Sequence, residues 1–115
     1  MLMGCLFCDI IEKRIPSTPV YQDDHVYAFR DVNRQAPTHI LVIPKKHIPT
    51  VNDLTAEDAE LVGRLVLKAR DLARQEGIAE EGYRLVANCN AWAGQSVYHV
   101  HFHLLGGRAM GWPPG

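Results

Sequence analysis

The sequence predicts an α+β domain in which a mainly antiparallel sheet carries one long helix across one face. Two observations support this fold class. Five short segments have the length and apolar content of strands, and one longer segment has apolar residues at helical spacing. The chain has 115 residues, which is enough for one hydrophobic core. We therefore expect residues 1–115 to form a single domain.

The first half of the chain predicts a short helix and three strands. Apolar residues recur at helical spacing over residues 7–15, and Pro16 ends this helix because proline cannot continue the backbone hydrogen bonds. Strands follow at Pro19–Gln22 and Val26–Arg30, joined by a polar turn. A continuous apolar run at residues 40–43 predicts the third strand.

The second half predicts the long helix and two further strands. Thr55, with Asp58 three positions later, has the capping pattern of a helix start, and Gly77 ends the helix. The apolar stripe of this helix consists of Leu61, Val62, Leu65, Val66, Ala69, Leu72 and Ala73. Residues 83–88 predict a fourth strand, and residues 99–105 predict the fifth.

Three histidines at alternate positions, His99, His101 and His103, are the most informative feature of the predicted fifth strand. Alternation places all three imidazoles on one face, about 6.6 Å apart from neighbour to neighbour. Three histidines on a straight strand therefore cannot bind one ion together, and they must have different roles. A lone histidine on a strand is usually structural, but three buried rings cost desolvation free energy unless each has a partner. The row favours a functional site.

A phosphate site is predicted immediately before the histidines, at Gly94, Gln95 and Ser96. A glycine before a strand allows backbone N–H groups to turn toward a ligand, and the serine hydroxyl adds another donor. Most segments of this kind are ordinary turns, but the neighbouring histidines favour a phosphate ligand.

Asp31, at the end of the second predicted strand, is a candidate ribose ligand. A carboxylate at a strand end is usually solvated or forms a turn, but it can also accept hydrogen bonds from two ribose hydroxyls. Phe7, Ile10, Phe29 and Val32 either form the floor of a base pocket or belong to the core. The sequence alone leaves both alternatives open.

Cys5 and Cys8 form a Cys-x-x-Cys pair near the predicted first helix. Two thiols at this spacing bind zinc if two further ligands complete a tetrahedral site, and His47 and one histidine of the row are candidates. A thioredoxin-like pair would require a strand directly before it. Two unrelated buried thiols are the remaining alternative.

The composition excludes several classes of partner. A net charge of −1 gives no strong attraction to nucleic acid or anionic membranes, and no segment has the length of a membrane span. The first residues have neither the basic leader nor the apolar core of an export signal. Three cysteines, an odd number, argue against a disulfide framework. We therefore expect a cytoplasmic protein.

Together these features resemble the histidine triad (HIT) family, whose signature is His-x-His-x-His with apolar residues between the histidines. The matching segments are His99-Val-His101-Phe-His103-Leu-Leu, Gln35-Ala-Pro-Thr-His39, Val42-Ile-Pro-Lys-Lys-His47-Ile, Gly94-Gln-Ser-Val-Tyr-His99 and Gly111-Trp-Pro-Pro-Gly115. They are similar to the HINT branch, the nucleoside phosphoramidase type. The resemblance implies five antiparallel strands, a sheet continued across a homodimer, and a pocket for a purine nucleoside monophosphate.

The resemblance also implies a role for each site residue. His101 would be the nucleophile that attacks the α-phosphorus of an AMP–amine conjugate and expels the amine, after which water hydrolyses the nucleotidyl-histidine. His103, Ser96, Asn88 and the backbone of Gly94, Gln95 and Ser96 would hold the phosphate, and His39 would orient the histidine row. Asp31 would bind the ribose, Phe7, Phe29 and Val32 would surround the base, and Trp112 would approach the partner protomer's site.

A structural zinc ion is a further implication of the resemblance. Many bacterial HIT proteins and the related galactose-1-phosphate uridylyltransferases carry a cysteine pair like Cys5 and Cys8. Their zinc is held by that pair, a histidine like His47, and the first histidine of the row, here His99. No catalytic metal or organic cofactor is implied.

Three alternative functions are compatible with the sequence. The first is hydrolysis of dinucleoside polyphosphates within the same family, although the Gly94-Gln95-Ser96 segment and the Trp-Pro-Pro-Gly ending favour the HINT branch. The second is a non-enzymatic nucleotide-binding or scaffold protein. The third is a zinc hydrolase in which two histidines of the row and Asp31 hold a catalytic metal.

Overall fold

The computed structural model describes residues 4–115, so Met1, Leu2 and Met3, which contribute to the prediction on export, lie outside the described residues. Helix α1 spans Leu6–Ile11 and helix α2 spans Ala59–Gln75. The strands are β1 (Pro19–Gln22), β2 (Val26–Arg30), β3 (Thr38–Pro44), β4 (Tyr83–Val86) and β5 (Phe102–Gly106). The predicted α+β class, with one long helix, is confirmed. No helix within residues 4–115 is long and apolar enough to cross a membrane.

The five strands form one sheet in the order β1-β2-β3-β5-β4, and every neighbouring pair is antiparallel. Strand β3 lies at the centre, and all seven of its residues are buried. A central strand with both faces covered is uniformly buried, and this explains the continuous apolar run that predicted it.

Side-chain alternation divides the core between the two faces of the sheet. Helix α2 covers one face, where Leu65, Ala69, Leu72 and Ala73 pack against alternate residues of β2, β3 and β5. Helix α1 lies on the other face, where Phe7 and Ile10 pack against Tyr27, Phe29, Leu41 and Ile43. The residues of opposite parity in the strands therefore face α1, and these include His39 in β3 and His103 in β5.

The beginning and end of α2 agree with the capping signals. Thr55 and Asp58 form the predicted capping box around a short 3-10 turn, after which the α-helix begins at Ala59. Gly77 follows the helix with a φ of +75°, the left-handed conformation in which glycine is favoured. Of the predicted stripe, Val66 is exposed, while the positions nearest the sheet are buried.

Helix α1 is shorter than predicted. It ends at Ile11 rather than at residue 15, because Lys13 adopts a φ of +64° and reverses the chain. The N–H groups of Arg14 and Ile15 then bond back to the carbonyl of Asp9. The sequence expectation was wrong on this boundary because a left-handed lysine has no clear sequence signature.

The last strand begins three residues later than predicted, at Phe102 rather than His99. The ladder between β3 and β5 starts at the pair Val42 and Phe102. The Val100 N–H donates instead to the carbonyl of Ile48 at 2.7 Å. His99 and His101 therefore lie in the irregular segment before the strand, and of the three row histidines only His103 belongs to the sheet. The fourth strand likewise ends at Val86 rather than at residue 88.

Candidate active site

A cavity of about 580 Å³ opens on the face of the sheet that carries α1. Strands β2 and β3, helix α1 and the segment before β5 form its walls. The predicted site residues that line it are Phe7, Phe29, Asp31, Val32, His39, Ser96, His101 and His103. The tertiary fold thus brings together residues from four parts of the chain.

His101 lies in the cavity wall with one ring nitrogen fixed. Its Nδ1–H donates to the backbone carbonyl of His99 at 2.7 Å, so the neutral ring carries its lone pair on Nε2. Nε2 has no hydrogen-bond partner among residues 4–115. Every fully buried side-chain nitrogen or oxygen in this part of the chain has such a partner, so Nε2 is not fully buried. This nitrogen is therefore accessible from the cavity. The ring of Phe7 packs edge-on against the His101 ring, with centroids 5.0 Å apart, and limits its rotation.

His103 presents the opposite hydrogen-bonding character to the same cavity. The N–H of Gln35 donates to Nδ1 of His39 at 3.1 Å, so the neutral His39 ring carries its proton on Nε2. That Nε2–H donates to Nδ1 of His103 at 2.9 Å. The neutral His103 ring consequently carries its proton on Nε2 and is a donor. One histidine thus offers a lone pair and the next an N–H group.

Burial keeps these histidines neutral. Desolvation lowers the pKa of His103 to about 4 and lowers the pKa of His101 and of His39 below the ordinary histidine value. Asp31 opposes the effect at His39, because its Oδ2 lies 3.4 Å from His39 Nε2. The neutral forms required by the hydrogen-bond pattern are therefore the stable ones at neutral pH.

Asp31 lies at the end of β2 and lines the cavity. Its Oδ1 accepts the N–H of Asn33 at 2.8 Å, as in an Asx turn, while its second oxygen faces His39. The carboxylate therefore forms a turn and also remains available to a ligand. Val32, next to it, is fully exposed at the rim of the cavity.

Three predicted nucleotide-binding residues, Asn88, Gly94 and Gln95, do not line this cavity. Gly94 adopts a φ of +86° in the turn that precedes Ser96. The Gln95 side chain is buried and bonds to backbone groups of its own and a neighbouring loop. Their roles in binding stay predictions.

The sequence analysis did not identify several apolar and polar residues of the cavity wall, including Leu6, Ile15, Ser17, Leu41 and Val97. Leu41 had a detectable signal, because it shares strand parity with His39 in β3. Leu6, Ser17 and Val97 come from a helix end and turns, where the sequence has no periodicity to follow, and Ile15 was assigned to a helix that ends earlier, at Ile11.

A second cluster lies at the inner end of the site and consists of Cys5, Cys8, His47 and His99. His99 Nδ1 is 3.5 Å from Cys5 Sγ, 3.6 Å from Cys8 Sγ and 3.2 Å from His47 Nδ1. Cys8 Sγ is 3.3 Å from His47 Nδ1. The N–H of Cys8 donates to Cys5 Sγ at 3.3 Å, which fixes the cysteine pair at the start of α1.

This donor set fits a zinc ion. The edges of a tetrahedron with zinc bonds of about 2.0–2.3 Å are about 3.3–3.8 Å, close to the spacing of these atoms. His99 Nε2–H donates to the Pro44 carbonyl at 2.7 Å, so Nδ1 presents its lone pair to the cluster. Burial, reinforced by Cys5, raises the pKa of Cys8 to about 12, so a thiolate requires a cation beside it.

A further trio, Asp31, His39 and His103, has ligand atoms within 4.8 Å of one another but does not fit a metal. His39 Nδ1 accepts the N–H of Gln35, so its Nε2 carries the proton and cannot also donate a lone pair. The zinc-hydrolase alternative requires Asp31 and two histidines of the row, whereas this trio contains only His103 of the row, and no candidate metal group within residues 4–115 has the required set.

The C-terminal segment contacts Arg84 of β4. Arg84 donates to the Gly111 carbonyl at 2.8 Å and lies 5.9 Å from the centroid of the Trp112 ring. Trp112 itself is 83 % exposed. Within residues 4–115 it does not line the cavity.

The fold and the site define a class of protein. An antiparallel sheet supports three alternate histidines, of which the first belongs to a Cys₂His₂ cluster and the other two line a cavity: this is the arrangement of a histidine triad protein. The chain belongs to the HIT family, because the family model described as "HIT domain" matches residues 12–110.

Individual relatives are similar over nearly the whole chain. The purine nucleoside phosphoramidase of Escherichia coli strain K12 is 58 % identical over 106 residues, which are 92 % of this chain and 89 % of the relative. A "14 kDa zinc-binding protein" of Zea mays is 54 % identical, covering 96 % of this chain and 87 % of the relative. The crystal structure of a HIT family hydrolase from Legionella pneumophila Philadelphia 1 has a TM-score of 0.96 at 55 % identity, covering 97 % of this chain and all of that one.

Proposed function

We propose that this protein hydrolyses the P–N bond of purine nucleoside 5′-phosphoramidates, with His101 as the nucleophile. The identity of 58 % to a purine nucleoside phosphoramidase supports the reaction class. The single observation that carries the mechanism is the bond from His101 Nδ1–H to the His99 carbonyl, because it leaves the Nε2 lone pair directed into an open cavity.

In the first step, His101 Nε2 forms a bond to the α-phosphorus, and the bond from phosphorus to the amine nitrogen breaks. The amine leaves with the electron pair of that bond and takes up a proton from solvent water. The His101 ring gains positive charge as it attacks, and the carbonyl dipole of His99 at Nδ1 stabilises that charge. In the second step, water attacks phosphorus and loses a proton to solvent, the phosphorus–nitrogen bond to His101 breaks with its electron pair returning to Nε2, and the nucleoside monophosphate leaves.

The other cavity residues bind and orient the nucleotide. The Nε2–H of His103 and the hydroxyl of Ser96 are donors suited to the phosphoryl oxygens. His39 keeps His103 in its donor form. Asp31 is suited to the ribose hydroxyls, and the apolar residues Phe7, Phe29 and Val32 are suited to the purine ring. Asn88 and Gly94 complete the proposed binding set from the loop after β4. Gln95 belongs to the same loop, but its side chain bonds to backbone groups of the protein.

We also propose that Cys5, Cys8, His47 and His99 hold one structural zinc ion. When bound, zinc would neutralise the thiolates and fix the segment that leads to His101. It has no part in the chemical step, because His99 is turned away from the cavity and bonds to Pro44 through its other nitrogen. No organic cofactor is needed for the proposed reaction.

The proposed assembly is a homodimer of single-domain chains, with the sheet continued from one protomer to the other. The proposed compartment is the cytoplasm, since none of the three cysteines forms a disulfide and reduced cysteines persist in reducing surroundings.

Replacement of His101 tests the proposed reaction. We expect His101→Ala to abolish release of amine from adenosine 5′-phosphoramidate while AMP still binds, because the substitution removes bond formation but leaves the ribose and base contacts. Brief incubation of wild-type protein with substrate, followed by peptide mass spectrometry under non-acidic conditions, should identify a nucleotidyl group on His101.

The controls separate this function from its alternatives. His25→Ala, at an exposed turn outside the cavity, should retain wild-type turnover. Unchanged turnover in His101→Ala would exclude the mechanism. If the wild-type protein cleaves dinucleoside polyphosphates faster than phosphoramidates, the proposed substrate class is wrong. If it binds AMP without any turnover, it is a binding protein.

A further inference from the structure

The turn between β4 and His99 contains Gln95, whose buried side-chain amide forms its hydrogen bonds with backbone groups of the protein. Gln95 is 7 % exposed. Its side-chain Nε2 donates to the carbonyls of Pro49 at 2.9 Å and Val97 at 3.1 Å. Its Oε1 accepts the N–H of Asn90 at 2.8 Å, and its own backbone N–H donates to the Asn90 carbonyl at 3.2 Å.

These bonds hold a turn of unusual backbone conformation. Asn90 has a φ of +69° and Gly94 has a φ of +86°, so two residues of the turn between Asn90 and Gln95 have positive φ. Asparagine adopts this conformation at a cost that the surrounding bonds must offset. The two reciprocal bonds between Asn90 and Gln95 close the turn, and the bond to Pro49 attaches it to the loop after β3.

The turn leads directly into the cavity wall. Ser96 and Val97 both line the cavity, and the Gln95 side chain binds the Val97 carbonyl on the far side of Ser96. The amide therefore fixes the backbone on both sides of the proposed phosphate-binding hydroxyl. Both N–H groups of the Gln95 amide are already used, so the side chain cannot donate to a phosphoryl oxygen without releasing a buried carbonyl.

We infer that Gln95 is a positioning residue: its buried side chain holds the turn that presents Ser96 to the phosphoryl group and does not itself contact the nucleotide. This inference rests on the proposed function, because it assigns Ser96 to the phosphate end of the site. The inference predicts different effects on the two halves of the ligand. The proposed nucleoside contacts come from β2 and α1, which the turn does not hold, so only phosphate binding should depend on Gln95.

Two variants and two ligands test the inference. Gln95→Leu removes all three side-chain bonds, and Gln95→Glu keeps the acceptor for Asn90 but places a carboxylate against two carbonyls. The free energy lost with one buried hydrogen bond corresponds to about a tenfold change in an equilibrium constant. We expect that loss to reach phosphate binding, because the bonds hold Ser96 in place. By calorimetry, we expect AMP to bind at least about tenfold more weakly to both variants, while adenosine binds within about twofold of wild type. Gln75→Glu, at an exposed position late in α2, is the matched control and should change neither affinity.

Nuclear magnetic resonance of the wild-type protein gives a result that does not depend on the variants folding. We expect the Gln95 side-chain NH₂ signals to be protected from hydrogen exchange with and without AMP, and to shift little when AMP binds, while the Ser96 N–H signal shifts strongly. Exposed or strongly shifting Gln95 signals would overturn the inference in favour of direct contact. Equal weakening of AMP and adenosine, or unchanged AMP affinity, would also overturn it. Amine release by the same wild-type preparation tests the proposed reaction separately.

Discussion

At the scale of single residues, the site depends on which nitrogen of each ring carries its proton. Backbone groups make that choice directly for His101 and His39, and through His39 for His103. The His99 carbonyl binds Nδ1–H of His101, and the Gln35 N–H binds Nδ1 of His39, which then donates to His103. A nucleophile and a donor are thereby placed on adjacent positions of one face, with no charged group required.

The buried neutral state of His103 has a consequence for stability. Its folded pKa of about 4 lies below the value of about 6.5 expected in the unfolded chain. Between these two values the unfolded state binds more protons than the folded state, so the free energy of unfolding falls as the pH drops from about 6.5 toward about 4. We expect urea denaturation at several pH values to show this fall in wild type and a smaller one in His103→Gln.

Gln75→Asn, at an exposed position late in α2, serves as the control for that measurement, because it removes no titratable group. It should leave the pH dependence of the wild-type protein unchanged. An identical pH dependence in wild type and His103→Gln would show that His103 is not held neutral by burial.

The sequence predicted the identities of these residues better than their contacts. Alternation placed His101 and His103 on one side, and the turn residues before them marked the phosphate end. The link from His39 to His103 was not predictable, because it depends on the antiparallel register that pairs Leu41 with His103 and His39 with Leu105. A sequence pattern specifies which side of a strand a residue occupies, but not which residue of another strand lies beside it.

At the scale of elements, boundaries followed the sequence only where local signals determined them. Strands β1 and β2 agree with their predicted ranges because turn residues bound them on both sides. Strand β5 begins late because Pro44 ends β3 and offers no N–H for further pairing. The position of His99 therefore follows from tertiary pairing, and this is also what frees it for the cysteine cluster.

The two edge strands predict how a dimer would form. Strand β1 begins with Pro19, and its register shifts between Pro19 and Tyr21, and both features block further pairing. Strand β4 has a regular four-residue register with β5, and all four residues are half-buried. We expect the proposed dimer to pair β4 with its symmetry copy. Sedimentation should give twice the mass of the chain, and hydrogen exchange should find the outward β4 amides protected.

Strand β1 is the internal control for that experiment, because its outward amides should exchange quickly in the same sample. A monomer in solution would contradict the prediction. Equal exchange rates at the two edges would show that any dimer uses another surface.

At the scale of the whole molecule, one buried residue joins the cysteine cluster to the cavity. His99 is completely buried and makes three contacts in different directions. Its Nδ1 faces the cysteines, its Nε2–H bonds to Pro44, and its carbonyl accepts Nδ1–H of His101. Since the same residue belongs to both sites, any ion that fixes His99 also fixes the acceptor that orients the nucleophile.

This connection predicts the effect of metal removal. Protein purified without chelator should contain about one zinc per chain, and Cys5→Ala should lose it and unfold at a lower temperature, because metal binding stabilises only the folded state. The nitrogen-15 shifts of His101 should indicate a single Nδ1–H form in the loaded protein and a mixture of forms after metal removal. Cys89→Ala is the matched control, since Cys89 lies outside the cluster. Absence of zinc together with unaltered stability in Cys5→Ala would eliminate the metal site, and unchanged His101 shifts after removal would show that the two sites are independent.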